Sequence, residues 1–260
     1  MPTALTDDGV SLWWTEDGPA DAPVLLLANS IGSTVEMWAP QVEPLAQRLR
    51  LIRFDTRGHG RSEAPEGDYT LDRLARDLAA VLDTAGAARA HVCGLSLGGA
   101  VAQTFALKFP DRLDRLILAN TAARIGSADG WNQRIAAVRG GGMACIADMA
   151  VGRFFDAAFI GAHPEVIAPV RAALIATPAH GYIGCCAALR DADLSEAVAA
   201  INSPTLVIGG ASDVSTPPVQ TQALADAIPG ARHIVLDAAH LSNLEQPDAF
   251  TGAVIAHLES

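Results

Sequence analysis

Residues 91–103 read HVCGLSLGGAVAQ. An apolar run stops at Gly94, a single hydroxyl at Ser96 stands between two leucines, and a second apolar run begins behind Gly98 and Gly99. The first run predicts a buried strand and the second, GGAVAQTFALKF, a helix. A strand that turns directly into a helix forces its central residue into strained backbone angles, and side chains two positions away on either side would collide. Glycines at 94 and 98 meet that demand. Ser96 is thereby presented at a helix N-terminus, where the dipole and free amides favour developing negative charge. Other glycine loops do not fit: a phosphate loop needs Lys where Ala100 stands, and a dinucleotide fingerprint needs glycine at 96. Taken alone, GxSxG is equally compatible with a serine that merely caps the helix, so the rest of the chain has to decide.

Outward from this stretch the same alternation repeats. Short apolar runs suited to buried parallel strands occur at 24–28, 51–54, 90–94, 116–120, 205–209 and 233–236. Helical periodicity occupies Leu71 to Ala85, Gly98 to Phe109, Val219 to Ile228 and Ala249 to Leu258. The pattern predicts an α/β chain, a mostly parallel central sheet with helices on both faces. VSLWWTEDG (10–18) alternates and turns, as an antiparallel edge hairpin does. Between Asn120 and Pro204 no segment reads as a strand, whereas WNQRIAAVR, MACIADMAVGRFF and PEVIAPVRAALIA look helical. The expected organisation is a core of residues 1–120 and 204–260 with a helical cap, 121–203, inserted in it.

The 260 residues suit one domain with such an insertion. A formal net charge of -11 opposes binding to nucleic acid or to an anionic membrane surface. The opening MPTALTDDGVSLWW lacks a basic region followed by an apolar one, and no apolar run approaches the roughly 20 residues of a membrane span, so a cytoplasmic protein is expected. Cys93, Cys145, Cys185 and Cys186 have no CxxC spacing and are expected as small buried apolar groups. The histidines show no metal-ligand spacing, so no metal is expected, and the chemistry of a serine nucleophile requires no cofactor.

A serine nucleophile needs a base to take its proton and an acid to orient that base, here in the order Ser, Asp or Glu, His. ASDVSTPP follows the strand pattern TLVIGG and puts Asp213 just past a strand end; AAHLSNLEQP follows HIVLD and does the same for His240. Asp191, Asp193 and Glu245 lie away from strand ends. Three matched placements favour a Ser96–His240–Asp213 triad over three unrelated turn residues. The oxyanion would be received by the backbone amides of Leu97 and of Ile31, the latter in the tight loop NSIG.

Together, ANSIGSTVEMWAPQ, LIRFDTRGHGRSEAP, CGLSLGG, NTAARIGSADGWNQRI, GYIGCCAALRDADL and HLSNLEQPDAF resemble the 3-oxoadipate enol-lactonases of the α/β-hydrolase superfamily. The resemblance runs over nearly the whole chain. It implies an α/β-hydrolase fold and hydrolysis of a carboxylate-bearing lactone in aromatic-compound degradation, the β-ketoadipate pathway. It also implies the roles just given to Ser96, His240, Asp213, Ile31 and Leu97. One departure is GRFFDAAF, where the family pattern implies a tryptophan near Phe154.

A substrate carboxylate needs a local cation in so acidic a chain. Arg134 in the expected cap is the candidate, with Arg124, Arg153 and Arg190 as rivals. Trp131 is expected to line the pocket, and Trp38 to pack in the core. Asp55, Arg57 and His59 of FDTRGHGRS read as a braced structural loop with an ion pair. The competing readings are a general carboxylesterase or perhydrolase, a carbon–carbon bond hydrolase of ring-cleavage products, and a non-catalytic ligand-binding module. The last usually loses a triad member.

Overall fold

A computed structural model describes residues 2–260, which form eight strands and eleven α-helices. The strands are β1 (Thr3–Leu5), β2 (Ser11–Asp17), β3 (Val24–Ala28), β4 (Arg50–Phe54), β5 (Ala90–Leu95), β6 (Leu113–Ala119), β7 (Thr205–Gly210) and β8 (Arg232–Leu236). They make one sheet in the order β1-β2-β4-β3-β5-β6-β7-β8, antiparallel at β1/β2 and β2/β4 and parallel from β4 onward. β3, β5, β6 and β7 are apolar almost throughout because both of their faces are covered, while β8, at the edge, is largely open.

The chain order accounts for the coverage. From β3 through α1 (Ala39–Ala46) to β4 the chain steps one way along the sheet. From β4 through α2 (Leu71–Thr84) to β5 it steps the other way, and on through α3 (Leu97–Lys108) to β6. Right-handed crossovers therefore put α1 on one face and α2 and α3 on the other. α9 (Pro218–Ala227) joins the α2 face, and α11 (Pro247–Leu258) returns to pack on α1. α2 shows why these residues form a helix: Thr70 caps it by accepting the Arg73 amide at 3.1 Å, and Leu71, Leu74, Leu78, Val81 and Leu82 form its buried stripe.

The expected elements stand within two or three residues of their predicted bounds, with one correction. The edge hairpin uses β1 as its second strand and turns before β2, at residues 6–10; Gly18 instead leads to β3, two strands away. A three-residue strand is too short to leave an alternation signal.

Between β6 and β7 lie only helices and turns: α4 (Ala128–Gly141), α5 (Ala147–Phe154), α6 (Ala157–Ala162), α7 (Pro164–Ala176) and α8 (Ala179–Asp191). α8 is firmly docked. Gly58 and Gly181 pack backbone to backbone, so that a Cβ on Gly181 would lie 2.4 Å from Gly58 Cα, and Gly184 admits the Tyr69 ring in the same way. The outward sides of α5 to α7 stay exposed. Among the described residues no single helix is long and apolar enough to cross a membrane; α7 and α8 pass that test only together and bend by 95° between them. Cys93, Cys185 and Cys186 are buried and all four cysteines are free, but Cys145 is exposed: it sits on a surface turn, its thiol 3.0 Å from Gly142 O.

Candidate active site

The strand β5 delivers Ser96 at φ 59° and ψ -116°, a backbone region that costs a non-glycine residue on the order of 1–3 kcal/mol. Its neighbours permit it. A Cβ on Gly94 would lie 2.1 Å from Gly98 O, and one on Gly98 2.1 Å from Ala28 O, so neither position accepts a side chain. The strained residue is held by its own backbone, with Ser96 N donating to Ala119 O at 3.0 Å and Thr121 Oγ1 donating to Ser96 O at 2.9 Å. These ties hold the hydroxyl in place.

Asp213 comes from the loop after β7 and His240 from the loop after β8. His240 Nδ1 lies 2.8 Å from Asp213 Oδ2, and His240 Nε2 lies 2.9 Å from Ser96 Oγ. A carboxylate only accepts, so Nδ1 carries the hydrogen and Nε2 is left to accept from the serine. All three residues are buried. Burial alone would raise the Asp213 pKa, but the charge and hydrogen bond of His240, with the Thr216 amide and Asn120, outweigh it and hold the carboxyl below its ordinary range. Oδ1 accepts the Ser215 and Thr216 amides at 2.7 and 3.0 Å, and Oδ2 also accepts Thr216 Oγ1 at 2.8 Å and Asn120 Nδ2 at 3.1 Å.

The amides of Ile31 and Leu97 meet no acceptor among the described residues. Their loops are joined, because Gly98 N donates to Asn29 O at 3.0 Å. Asn29 also accepts Trp38 Nε1 at 2.9 Å, which puts Trp38 in the core as expected.

Ile31, Ser96 and His240 form the floor of a cavity of about 370 Å³. α4, α5 and the segment leading to α4 wall it with Ile125, Trp131, Arg134, Ala137, Met149, Arg153 and Phe154. No Asp or Glu lines it. Two arginines do, and all their partners are uncharged: Arg134 donates to Tyr182 Oη at 3.3 Å and approaches Met149 Sδ, while Arg153 donates to Ser215 Oγ at 3.3 Å and to Val214 O. Arg124 and Arg190 lie outside the cavity, paired with Asp193 and with Asp68 and Asp191. Phe154, near which the family pattern implies a tryptophan, stacks on His240 at 5.9 Å and 16°.

Chemically, the floor is a hydroxyl with an oriented base beside it and two free amides near by, an arrangement suited to attack on a carbonyl. A family model described as the alpha/beta hydrolase fold matches residues 23–137. The chain is 40% identical over 97% of its length to 3-oxoadipate enol-lactonase 2 of Acinetobacter baylyi and covers 94% of that protein. The chain belongs to the 3-oxoadipate enol-lactonase family of α/β hydrolases. A solved enol-lactonase from Burkholderia xenovorans LB400 superposes with a TM-score of 0.98 at 42% identity, covering 100% of both chains. A thermophilic esterase from Thermogutta terrifontis follows the same fold at a TM-score of 0.92 and 32% identity, over 99% of this chain and 97% of its own. The protein is thus a hydrolase of the enol-lactonase type.

Several site residues have no clear sequence signal. Asn120, at φ 44°, ties the end of β6 to Asp213 and, through Nδ2 to Ala239 O and Oδ1 to Ser242 Oγ, to the His240 loop. Its place at a strand end is the one available clue. Glu245 accepts the Ala239 amide at 2.5 Å and the Asp156 amide at 2.7 Å, bracing the His240 loop against α6; burial raises its pKa. In FDTRGHGRS the expected ion pairing forms both within and beyond the motif: Asp55 accepts the Val35 and Arg61 amides and pairs with the Arg61 guanidinium at 3.4 Å, while Arg57 forks onto Asp77 at 2.5 and 2.6 Å and reaches Asp8.

Proposed function

We propose that this hydrolase opens 3-oxoadipate enol-lactone to 3-oxoadipate, with Ser96 as nucleophile, His240 as general base and acid, and Asp213 as its orienter. The observation that carries the reading is the continuous Ser96–His240–Asp213 hydrogen-bond chain at the floor of a cavity whose only side chains with a fixed charge are two arginines without carboxylate partners. Ser96 Oγ attacks the lactone carbonyl as Nε2 takes its proton. The oxyanion forms between the Ile31 and Leu97 amides; as it collapses the ring C–O bond breaks and Nε2 gives its proton to the leaving oxygen, leaving an enol, still tethered to the acyl-enzyme, that relaxes to the ketone. The ketone is a poor nucleophile, so ring opening runs one way. Water, deprotonated by His240, then clears the acyl-enzyme and restores the serine.

In this reading residues 121–203 are the cap that selects substrate. Arg134 receives the substrate carboxylate over the face of Trp131, whose ring centroid lies 5.3 Å from the guanidinium carbon. The partner is a small lactone, the compartment is the cytoplasm, and the chemistry asks for no metal or cofactor. General carboxylesterase activity is the second reading, favoured by the likeness to a thermophilic esterase.

Hydrolysis of the enol-lactone beside an aryl acetate, with Ser96→Ala as the blank, separates the two. A strong preference for the lactone that vanishes in Ser96→Ala supports the proposal. Preference for the acetate transfers the same triad to an esterase.

A further inference from the structure

His59 lies outside the cavity and plays no part in the proton transfers above, yet it is fully buried in the motif that precedes α2. Its Nε2 stands 2.9 Å from the Gly32 amide. That amide can only donate, so Nε2 is the unprotonated nitrogen and Nδ1 carries the hydrogen, 3.3 Å from Arg57 O. Gly32 directly follows Ile31, so the bond anchors the peptide unit next to the amide that must stay free. On the other side of Ile31, Ser30 O accepts Ser33 N at 3.3 Å and Ser33 Oγ at 2.7 Å, whereas the Ile31–Gly32 peptide unit is tied, among the described residues, through its Gly32 amide alone. Nor can side chains substitute for the anchor. Gly32 sits at φ +76°, and a Cβ there would lie 2.4 Å from Leu174 Cδ1.

The surroundings keep the ring neutral. α8 presents Tyr182, ring to ring at 6.5 Å with its hydroxyl turned to Arg134, and Cys185, whose thiol faces Arg57 O at 3.9 Å. On its own loop the charged groups are engaged elsewhere, Asp55 with amides and Arg61, Arg57 with Asp77 and Asp8. Burial pushes the imidazole down to about 4.

We propose that His59 is a positioning residue for the oxyanion hole, its Nε2 lone pair holding the Gly32 peptide so that the Ile31 amide points at the reacting oxygen. The proposal rests on the reading in which Ile31 and Leu97 receive the oxyanion.

The test compares His59→Leu and His59→Gln in the full chain. Leucine fills space without an acceptor, and the glutamine carboxamide can still accept from Gly32. The expected result is that His59→Leu lowers kcat on lactone and aryl acetate alike by about 10- to 100-fold, with KM changed less than about two-fold. This lies below the roughly 100- to 1000-fold loss for a deleted oxyanion donor, because the amide is displaced and not removed. A trifluoromethyl ketone inhibitor, which forms the oxyanion adduct, should weaken by a similar factor while binding of adipate, a ground-state dicarboxylate, holds. His59→Gln should recover most of kcat. Full activity in His59→Leu overturns the proposal, as does a parallel loss of adipate binding with no recovery in His59→Gln. If His59→Leu does not fold, His59→Asn, whose carboxamide falls short of Gly32, is judged by the same criteria. Ser96→Ala, assayed alongside, tests the nucleophile separately, so failure of the positioning role and failure of the triad reading give different patterns.

Discussion

The floor and the wall of the cavity are built on opposite principles. On the floor, Ser96 and His240 are buried with Asp213 beneath them, both oxygens of the Asp213 carboxylate accept hydrogen bonds within 3.1 Å, and the supporting loops leave strand ends of a single sheet. On the wall, Arg134 and Arg153 hold neutral partners at 3.3 and 3.4 Å, and Arg153 and Met149 are exposed. A group that must meet a transition state within a fraction of an ångström has to be over-determined by its neighbours. A group that greets an incoming anion gains from having no committed partner. On the proposed mechanism, the contrast assigns the chemistry to the floor and the choice of substrate to the wall.

The largest effect should come from the floor. Ser96→Ala or His240→Ala should cut kcat on both substrates by roughly 10⁴- to 10⁶-fold, and Asp213→Asn by about 10⁴-fold, measured by single-turnover kinetics with folding checked by circular dichroism. Loss confined to the lactone would break the comparison. The pH profile sharpens it: because Asp213 is held below its ordinary range, the carboxylate that orients His240 should stay ionised through the neutral range, and an activity loss there that Asp213→Asn removes would break that reading.

The wall should respond selectively. Arg134→Gln is expected to lower kcat/KM for the lactone by about 10- to 100-fold and to leave the aryl acetate within about two-fold, since the acetate has no carboxylate to lose. A smaller effect lies in stability. His59 is held at about 4 against an ordinary 6.5, so the unfolded chain binds this proton before the folded one does. The stability from this group is complete above about 6.5 and drains away as pH falls toward about 4, by at most about 3 kcal/mol. Burial moves His91 and His257 in the same direction. Denaturant unfolding at several pH values should show that slope reduced in His59→Gln. The smallest effect belongs to the outer surface: Arg171→Gln breaks an exposed pair with Asp148 and should shift stability by less than about 1 kcal/mol.

The sequence carried the floor's three side chains because each ends an apolar strand pattern, and position relative to a strand is a local property. The supports of those side chains were not legible for the converse reason. Asn120 reaches Asp213 across 93 residues, His59 reaches Gly32 across 27, and Arg57 finds Asp77 and Asp8 outside its motif. Such pairs exist only once the sheet has brought the loops together. Of the helices between β6 and β7, α4, α5 and α7 were visible as periodicity, whereas α6 and α8 were not, and α8 docks through glycine contacts such as Gly58 with Gly181, which no periodicity encodes. Arg134 and Arg153 both stood out as cations in that region; that both face the cavity while Arg124 and Arg190 turn to carboxylates could be read only from the fold.

The most direct measurement is the ratio of kcat/KM for the enol-lactone to that for the aryl acetate, in the wild type and in Arg134→Gln/Arg153→Gln. The account predicts a ratio that collapses by about 100-fold or more while the acetate rate holds. An acetate rate that falls in step with the lactone, leaving the ratio intact, would contradict the division between a floor that reacts and a wall that selects.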